Sequence, residues 1–166
     1  MNRGGGPAVR NNRTEAHGPK AVRTTSADPA FRVLVRELDR YLAVHNGDAD
    51  AFFAQFNSVD HIQHVIVVHA GAAPVGCGAF KAFGHGTVEV KRMFTSPDHR
   101  NRGIASMVLN ALEEWARELG HRRCVLETGA LLHDATALYR KHGYTIIPNY
   151  GPYVGVESSV CFEKVL

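Results

Sequence analysis

Residues 100–106, Arg-Asn-Arg-Gly-Ile-Ala-Ser, combine the residue types that hold a phosphate group. They stand between an apolar run that predicts a strand and an amphipathic segment that predicts a helix. The first turn of a helix offers unpaired backbone N–H groups and the positive end of the helix dipole. Gly103 lets the backbone approach an anion closely, while Arg100 and Arg102 add charge and a planar fork of donors. We therefore predict an anion-binding turn, completed by Asn101, Ile104, Ala105 and Ser106.

Two side chains are candidates for proton transfer. Glu89 is an acidic residue in a predicted strand, between the apolar residues Val88 and Val90. Partial burial among such neighbours makes a carboxylate a better general base. Strand alternation places Glu89 and Lys91 on one face, so a surface ion pair is the alternative interpretation. The phenol of Tyr139 can donate a proton to a leaving group, or it can simply pack against the sheet.

Hydrophobic periodicity predicts the elements that position these residues. One helix begins at Pro29 behind the capping residue Asp28 and ends at Asn46, and a short second helix carries three phenylalanines. Further helices are predicted over 104–119 and 135–142, strands over 20–26, 64–69, 75–83, 88–94, 123–128, 144–148 and 159–165, and a turn over 70–74. This order predicts an α/β (α+β) fold, with a mixed, mostly antiparallel sheet of six or seven strands and about four helices on both faces.

The composition is that of a globular enzyme or binding protein. The 166 residues suffice for one domain with a buried core, and no apolar run approaches the roughly 20 residues of a membrane span. An apolar secretory signal is absent from the N-terminus, so we expect a cytoplasmic protein with no membrane partner. The three cysteines predict reduced core thiols. The ten histidines lack neighbouring cysteine or carboxylate ligands, and no metal site is predicted.

Positive charge is concentrated at the N-terminus. Residues 1–20 contain four basic residues and one acidic residue, whereas the remainder contains 15 of each kind. This segment is rich in Gly, Asn and Arg and has no apolar periodicity, so it cannot offset the entropy lost on ordering. We predict a disordered basic arm over 1–19, followed by a single domain over 20–166. The balanced charge of that domain argues against a nucleic-acid partner, and contact of the arm with nucleic acid is the alternative.

Two motifs carry a resemblance to a known family. The pattern Arg-x-x-Gly-x-Ala at residues 100–105 resembles the acyl-CoA signature of the GNAT acetyltransferase superfamily, and fits neither a P-loop nor a dinucleotide fingerprint. The pattern Ala-x-x-Leu-Tyr-x-x-x-Gly-Tyr at residues 135–144 resembles a later motif of the same superfamily. Both motifs occur in the order, and on the kinds of secondary-structure element, that are typical of this superfamily. The resemblance covers roughly residues 21–166 and extends to a bacterial subgroup whose substrates are mostly unassigned.

The resemblance implies an N-acetyltransferase that moves an acetyl group from acetyl-CoA to a primary amine by direct transfer in a ternary complex. The turn over 100–106 would hold the coenzyme diphosphate. Backbone groups of Met93, Phe94 and Thr95 would pair with pantetheine, and one N–H would donate to the oxyanion. Glu89, eleven residues before Arg100, would be the base, and Tyr139 would be the acid. The acceptor pocket would be walled by Phe53, Asn57, Tyr150 and Tyr153.

Leu132 departs from the family pattern. An Asn or Gln is usual three residues before Ala135, and its hydrogen bond to the pantetheine arm or to a bound water would be lost here. That departure supports an alternative, a catalytically inactive acyl-CoA-binding regulatory module, whereas retention of Glu89 and Tyr139 favours an enzyme. The acceptor, a small-molecule or peptide amine, stays open, and so does a homodimer.

Overall fold

Seven strands form one sheet in the order β1-β2-β3-β4-β5-β7-β6, and every neighbouring pair is antiparallel except β4 and β5. The structure is a computed structural model that describes residues 18–166, so the predicted arm up to residue 17 lies outside the described residues. The strands are β1 (Lys20–Thr24), β2 (His64–Ala70), β3 (Ala73–Gly84), β4 (Thr87–Thr95), β5 (Arg123–Gly129), β6 (Thr145–Ile147) and β7 (Ser159–Val165). The predicted mixed, mostly antiparallel sheet is therefore confirmed.

Within residues 18–166, four α-helices and three short 3-10 helices connect the strands. The α-helices are α1 (Pro29–Asn46), α2 (Asp50–Ala54), α3 (Ile104–Glu118) and α4 (His133–Lys141), and the 3-10 helices are Gly47–Ala49, Pro97–His99 and Gly151–Tyr153. The start of α1 follows the sequence prediction, because the Asp28 carboxylate accepts a hydrogen bond from the Ala30 N–H at 2.8 Å. Within residues 18–166, no helix is both long and apolar enough to cross a bilayer.

The hairpin between β2 and β3 is tighter than the predicted turn over 70–74. Ala70 pairs directly with Ala73, so that the turn consists of two residues only. Gly71 has a φ of +62°, which suits a two-residue connection and allows the strands to continue to its edges. Pro74 consequently lies within β3. The periodicity of the sequence could not reveal this, because it does not fix the residue at which each strand begins or ends.

The two faces of the sheet carry separate hydrophobic cores. On one face, α1 buries Phe31, Leu34 and Leu38 against Val65, Val67 and Cys77. On the other face, α3 and α4 pack on the sheet, and their buried contacts include Val108, Leu109, Leu112, Val88, Leu126 and Tyr139. The prediction of helices on both faces is thereby confirmed, and each face can contribute its own side chains to a site.

The two central strands separate towards their carboxyl ends. The parallel pairing of β4 with β5 covers Thr87–Val90 and Arg123–Leu126 and then stops. Beyond that point β4 stays paired with β3, and β5 stays paired with β7. Each strand is thus held by its outer neighbour, and a gap opens between their last residues.

A β-bulge shapes the separated part of β4. Ala79 faces Lys91 and Cys77 faces Phe94, so two residues of β4 lie opposite one residue of β3. Arg92, at the bulge, has a φ of +60° and turns its buried side chain towards α1. There its guanidinium forms an ion pair with Asp39 and donates to the carbonyl oxygen of Val35. Arg92 therefore anchors the bulge of β4 to α1.

We expect Gly78→Ala to lower the free energy of unfolding by about 1–3 kcal/mol. A Cβ atom at Gly78 would lie 2.6 Å from Met93 Sδ and 2.7 Å from Val108 Cγ1, and Val108 is held within α3. The matched control is Gly84→Ala in the same strand, where a Cβ meets no atom within 4 Å. Gly84→Ala should change the free energy of unfolding by no more than about 0.5 kcal/mol. Urea denaturation measures both, and equal effects would mean that α3 does not press on β3.

Candidate active site

A cavity of about 780 Å³ opens where β4 and β5 separate. Its walls come from both faces of the sheet, because the gap joins the space under α1 and α2 with the space beside α3 and α4. From the α1 face it is lined by Leu38, Tyr41, Phe53 and Tyr153, and from the α3 face by Ile104, Ala135, Leu138 and Tyr139. A molecule in this cavity can therefore contact groups on both faces.

The predicted anion-binding turn forms one end of the cavity. Asn101 and Gly103 adopt positive φ values of +60° and +76°, and α3 begins directly after Gly103. No side chain caps this helix start, and its first turn contains no acidic residue. Its first N–H groups are consequently available to an anion. The residues of the turn that line the cavity are Arg100, Asn101, Gly103, Ile104, Ala105 and Ser106.

The two arginines of the turn differ in their surroundings. Arg100 donates from Nε to the carbonyl oxygen of Thr95 at 3.3 Å, and its guanidinium lies 4.8 Å from the ring centroid of Tyr41. It therefore ties the turn to the end of β4 and to α1 while also lining the cavity. Arg102 is exposed and is not among the residues that line the cavity.

A histidine joins the end of α4 to the start of α3. His142, which follows α4, has its Nε2 atom 2.9 Å from the Ser106 hydroxyl in the first turn of α3. Burial lowers the pKa of His142, which favours a neutral ring near neutral pH. The contact fixes α4, and with it Tyr139, relative to the anion-binding turn.

Glu89 reaches the cavity from the α1 face. Its Oε1 atom accepts a hydrogen bond from the Tyr150 hydroxyl at 3.1 Å and lies 3.6 Å from Lys91 Nζ. The Glu89 side chain is 15% exposed, so the ion pair is enclosed rather than on the open surface. Glu89 is thus paired with Lys91, as the ion-pair interpretation of the sequence expects, and it also lines the cavity, where a general base would have to lie.

Tyr139 reaches the cavity from the opposite face. Its ring is buried against Tyr144 and Phe162, with centroid separations of 5.7 and 5.9 Å. Burial raises the pKa of Tyr139, and the negative charge of Glu127 adds to the effect. The phenol therefore stays protonated, which is the state that donates a hydrogen bond. Packing and a donor role are compatible, because the same residue lines the cavity.

The last three residues of β4, Met93, Phe94 and Thr95, offer their backbone to the cavity. Phe94 and Thr95 pair with Cys77 and Gly76 of β3 on one side, while their other edge faces the gap. The Phe94 side chain belongs to the core beneath α1. Thr95 Oγ1 is buried and has no hydrogen-bond partner within residues 18–166. The sequence-based expectation of core side chains and an available backbone edge agrees with this arrangement.

Aromatic rings enclose the α1 side of the cavity. Phe53, Asn57 and Tyr153 line it, whereas Tyr150 contributes through its hydrogen bond to Glu89. Tyr153 lies edge-to-face with Phe56 and with Tyr150, each at a centroid distance of 5.8 Å. The four residues predicted for the acceptor pocket therefore lie in one region. The rings of Tyr150 and Tyr153 pack against each other, whereas Phe53 packs against Phe52 and Asn57 contributes an amide.

Glu127 is the functional candidate that sequence reasoning missed. It lies in β5, lines the cavity, and accepts a hydrogen bond from the Ser159 hydroxyl at 2.7 Å. Burial raises the pKa of Glu127, and the nearby charge of Glu89 contributes, while Ser159 and Lys91 act in the opposite direction. The sequence did carry a signal. Glu127 is the only acidic residue in the predicted strand over 123–128, just as Glu89 is the only acidic residue in the predicted strand over 88–94.

Neither the cysteines nor a metal ion offers a different chemistry within residues 18–166. Cys77, Cys124 and Cys161 are all buried, and burial raises the thiol pKa to about 12 at Cys77 and to about 11 at Cys124. Such thiols are poor nucleophiles near neutral pH. No group of three or more His, Cys, Asp or Glu residues in this part of the chain is arranged to hold a metal.

Known proteins resemble this chain in sequence. Residues 30–144 match the sequence model of the Acetyltransferase (GNAT) family. The chain is 35% identical over 153 residues to an IAA acetyltransferase of Azospirillum brasilense, and the match covers 87% of this chain and 96% of the relative. It is 28% identical over 131 residues to the uncharacterized N-acetyltransferase YjgM of Escherichia coli, covering 73% and 78% of the two chains.

Solved structures share the fold. A Klebsiella pneumoniae protein assigned as an acyl-CoA N-acyltransferase superposes with a TM-score of 0.74 at 29% identity, over 89% of this chain and 97% of that one. The PaiA N-acetyltransferase of Thermoplasma acidophilum, solved with coenzyme A, superposes with a TM-score of 0.70 at 14% identity, over 90% and 100%. At that low identity the second likeness concerns the fold alone.

We expect Glu127→Gln to unfold at a higher urea concentration than the wild type at pH 7. The pKa of Glu127 is raised in the folded state, so the protonated carboxyl group stabilises the fold. This stabilisation is fully present below the ordinary carboxyl pKa of 4.5, and it is lost as the pH rises through the pKa of Glu127 in the folded protein. Glutamine mimics the protonated form, and its advantage should vanish below pH 4.5. Glu163→Gln, which removes an ion pair with Arg123, should give no such gain. A Glu127→Gln variant less stable than the wild type at pH 7 would contradict a raised carboxyl pKa.

Proposed function

The chain belongs to the acetyltransferase (GNAT) family, and from this membership we propose that it transfers the acetyl group of acetyl-CoA directly to a primary amine within a ternary complex. The observation that carries the proposal is the gap between β4 and β5, which joins an uncapped helix start to two acid–base candidates. The family match, together with the likeness to the Klebsiella pneumoniae acyl-CoA N-acyltransferase at 29% identity, supports the choice of cofactor.

The residues on the α3 side fit the coenzyme. The free N–H groups at the start of α3, with Arg100 beside them, suit a diphosphate. The unpaired edge of β4 can exchange hydrogen bonds with the amides of pantetheine, and the buried, unpartnered Thr95 Oγ1 lies at the same edge. When bound, the coenzyme supplies an activated acetyl thioester. A backbone N–H near Met93 or Phe94 is the proposed donor to the charge that develops on the carbonyl oxygen.

Two residues of the chain are proposed to move the protons. Glu89 accepts a proton from the acceptor ammonium, while Tyr150 and Lys91 hold the carboxylate in position. Glu89 passes this first proton to solvent. As the C–N bond forms and the C–S bond breaks, Glu89 takes up the second proton from the nitrogen, and one proton is released to solvent in the whole reaction. Tyr139, which burial keeps protonated, donates to the departing sulfur and is reprotonated in turn. The raised thiol pKa values of the buried cysteines favour direct transfer over an acylated cysteine.

A regulatory module that binds acyl-CoA without turnover is the second candidate. Leu132 favours it, because this apolar side chain lines the cavity at a position where relatives of this kind usually carry an amide. The carboxylate and phenol that reach the cavity from opposite faces favour the enzyme. Thiol release in the presence of amines separates the two, since only the enzyme releases CoA. The acceptor of the enzyme is an amine of a small molecule or peptide.

We expect Gly103→Ala to weaken CoA binding about tenfold, equivalent to about 1.4 kcal/mol. Its φ of +76° strains any residue with a Cβ, and the added methyl group stands at the approach to the helix start. Gly120→Ala, at the other end of α3 and with a φ of +85°, introduces comparable strain away from the cavity. Titration calorimetry with CoA should separate them. Equal affinities for the two variants would exclude the turn as the diphosphate site.

We expect Glu89→Gln and Tyr139→Phe each to lower kcat by about 10²-fold or more, with little change in KM for acetyl-CoA. Both substitutions keep the shape of the side chain and remove only the proton-transferring group. Glu114→Gln, on the exposed surface of α3, is the matched control and should retain full activity. Thiol release is the measurement. Unchanged kcat in both site variants would assign the proton transfers to other groups.

A further inference from the structure

We propose that Glu127 and Glu89 together form the ammonium-binding end of the acceptor pocket, and that the acceptor is an arylalkylamine, a primary amine joined by a short apolar arm to a flat ring. This inference rests on the proposed function and names the acceptor class that it leaves open. Two features of the pocket support it, the charges at its bottom and the rings along its wall.

The register of the sheet brings the two carboxylates to one face. Glu89 of β4 lies opposite Val125 of β5, and alternation places Glu127, two residues further along, on the same side. Both carboxylates line the cavity where the strands separate. They lie on neighbouring strands at the mouth of the gap through which an acetyl group would be presented.

The charge in this region is negative. Lys91 lines the cavity on this face and is already paired with Glu89, whereas Lys81 of β3, which lies opposite Glu89 in the sheet, does not line the cavity. Arg92 turns away to Asp39, and Arg100 lies over Tyr41. Within residues 18–166, no Lys, Arg or His nitrogen lies within 4 Å of the Glu127 carboxylate. Of these two carboxylates, Glu89 is paired with Lys91, and Glu127 has no such cation among the described residues, so a cationic acceptor would supply one.

Glu127 has no evident role in the fold. Its one close polar neighbour in the described residues is the Ser159 hydroxyl, which holds Oε1 and itself belongs to the buried part of β7. Burial raises the pKa of Glu127, so the ionised form is unfavourable in the empty pocket. A group that weakens the fold where it stands is a candidate for function. An ammonium from the acceptor would supply the missing partner.

The wall beyond the carboxylates is apolar and aromatic. Phe53 and Tyr153 line it, and Leu42 of α1 completes it. The ring of Phe52 packs against Phe53, and the rings of Phe56 and Tyr150 pack against Tyr153. Its polar members are His45, Asn46 and Asn57, none of which is a lysine or arginine. The wall can stack on a ring or meet its edge, but it holds no fixed cation for a carboxylate. These features favour an arylalkylamine over an α-amino acid or a polyamine.

Binding of 2-phenylethylamine to the CoA-loaded protein tests the inference, with titration calorimetry as the measurement. We expect it to bind at least about tenfold more tightly than butylamine or phenylalanine, because butylamine lacks the ring and phenylalanine adds a carboxylate. Glu127→Gln should weaken this binding about tenfold and leave CoA binding unchanged. The matched control is Glu163→Gln, which removes a carboxylate from the adjacent strand outside the cavity.

The aromatic wall is tested by Phe53→Ala. This variant should lose most of the preference for 2-phenylethylamine over butylamine while keeping its affinity for butylamine. Val44→Ala is the control, since Val44 lies on α1, is exposed and is outside the cavity. It should keep the preference. Loss of preference in both variants, or in neither, would contradict the assignment of Phe53.

The outcomes separate this inference from the proposed function. If 2-phenylethylamine binds no better than butylamine, or binds equally to Glu127→Gln, the inference is wrong whichever amine is acetylated. Thiol release with 2-phenylethylamine is measured on the same preparations. Selective binding without thiol release would support the pocket and contradict the transferase. Thiol release with other amines alone would support the transferase and overturn the pocket.

Discussion

The separation of β4 from β5 is the constraint on which the rest of the molecule depends. Two parallel strands that stay paired would close the sheet and isolate its faces from each other. Here the pairing ends at Val90 and Leu126, and each strand keeps its backbone hydrogen bonds through its outer neighbour. The bulge at Arg92, fixed to Asp39 of α1, holds the end of β4 in place. The gap is therefore stable without any molecule inside it.

Because the gap joins the two faces of the sheet, the helices on each face can supply different groups to one cavity. The α3 face supplies a buried phenol and the turn that we propose binds an anion, and a contact between Ser106 and His142 links them. The α1 face supplies a carboxylate pair and an aromatic wall. Neither face alone has the groups for a transfer between two molecules. The fold brings them together at the one place where its central strands separate.

The sequence predicted the fold well and located the turn before α3, because both depend on local patterns. That this turn binds an anion stays a prediction. Periodicity located the helices and strands, and a glycine beside two arginines marked the start of α3. Glu127 was missed because its face is defined only by the register of β4 with β5, and a whole helix separates these strands in the chain. The contact of Arg100 with Tyr41 was equally hidden, since it joins residues from distant elements.

The glycines of β3 have a further consequence for binding. At Gly76 and Gly78 there is no room for even a methyl group, because side chains of α3 and β4 press directly on the strand. A helix seated this closely cannot slide or tilt to meet its ligand. The ordering of its amide groups is completed while the protein folds, so an arriving anion encounters a rigid surface and loses little affinity to reorganisation.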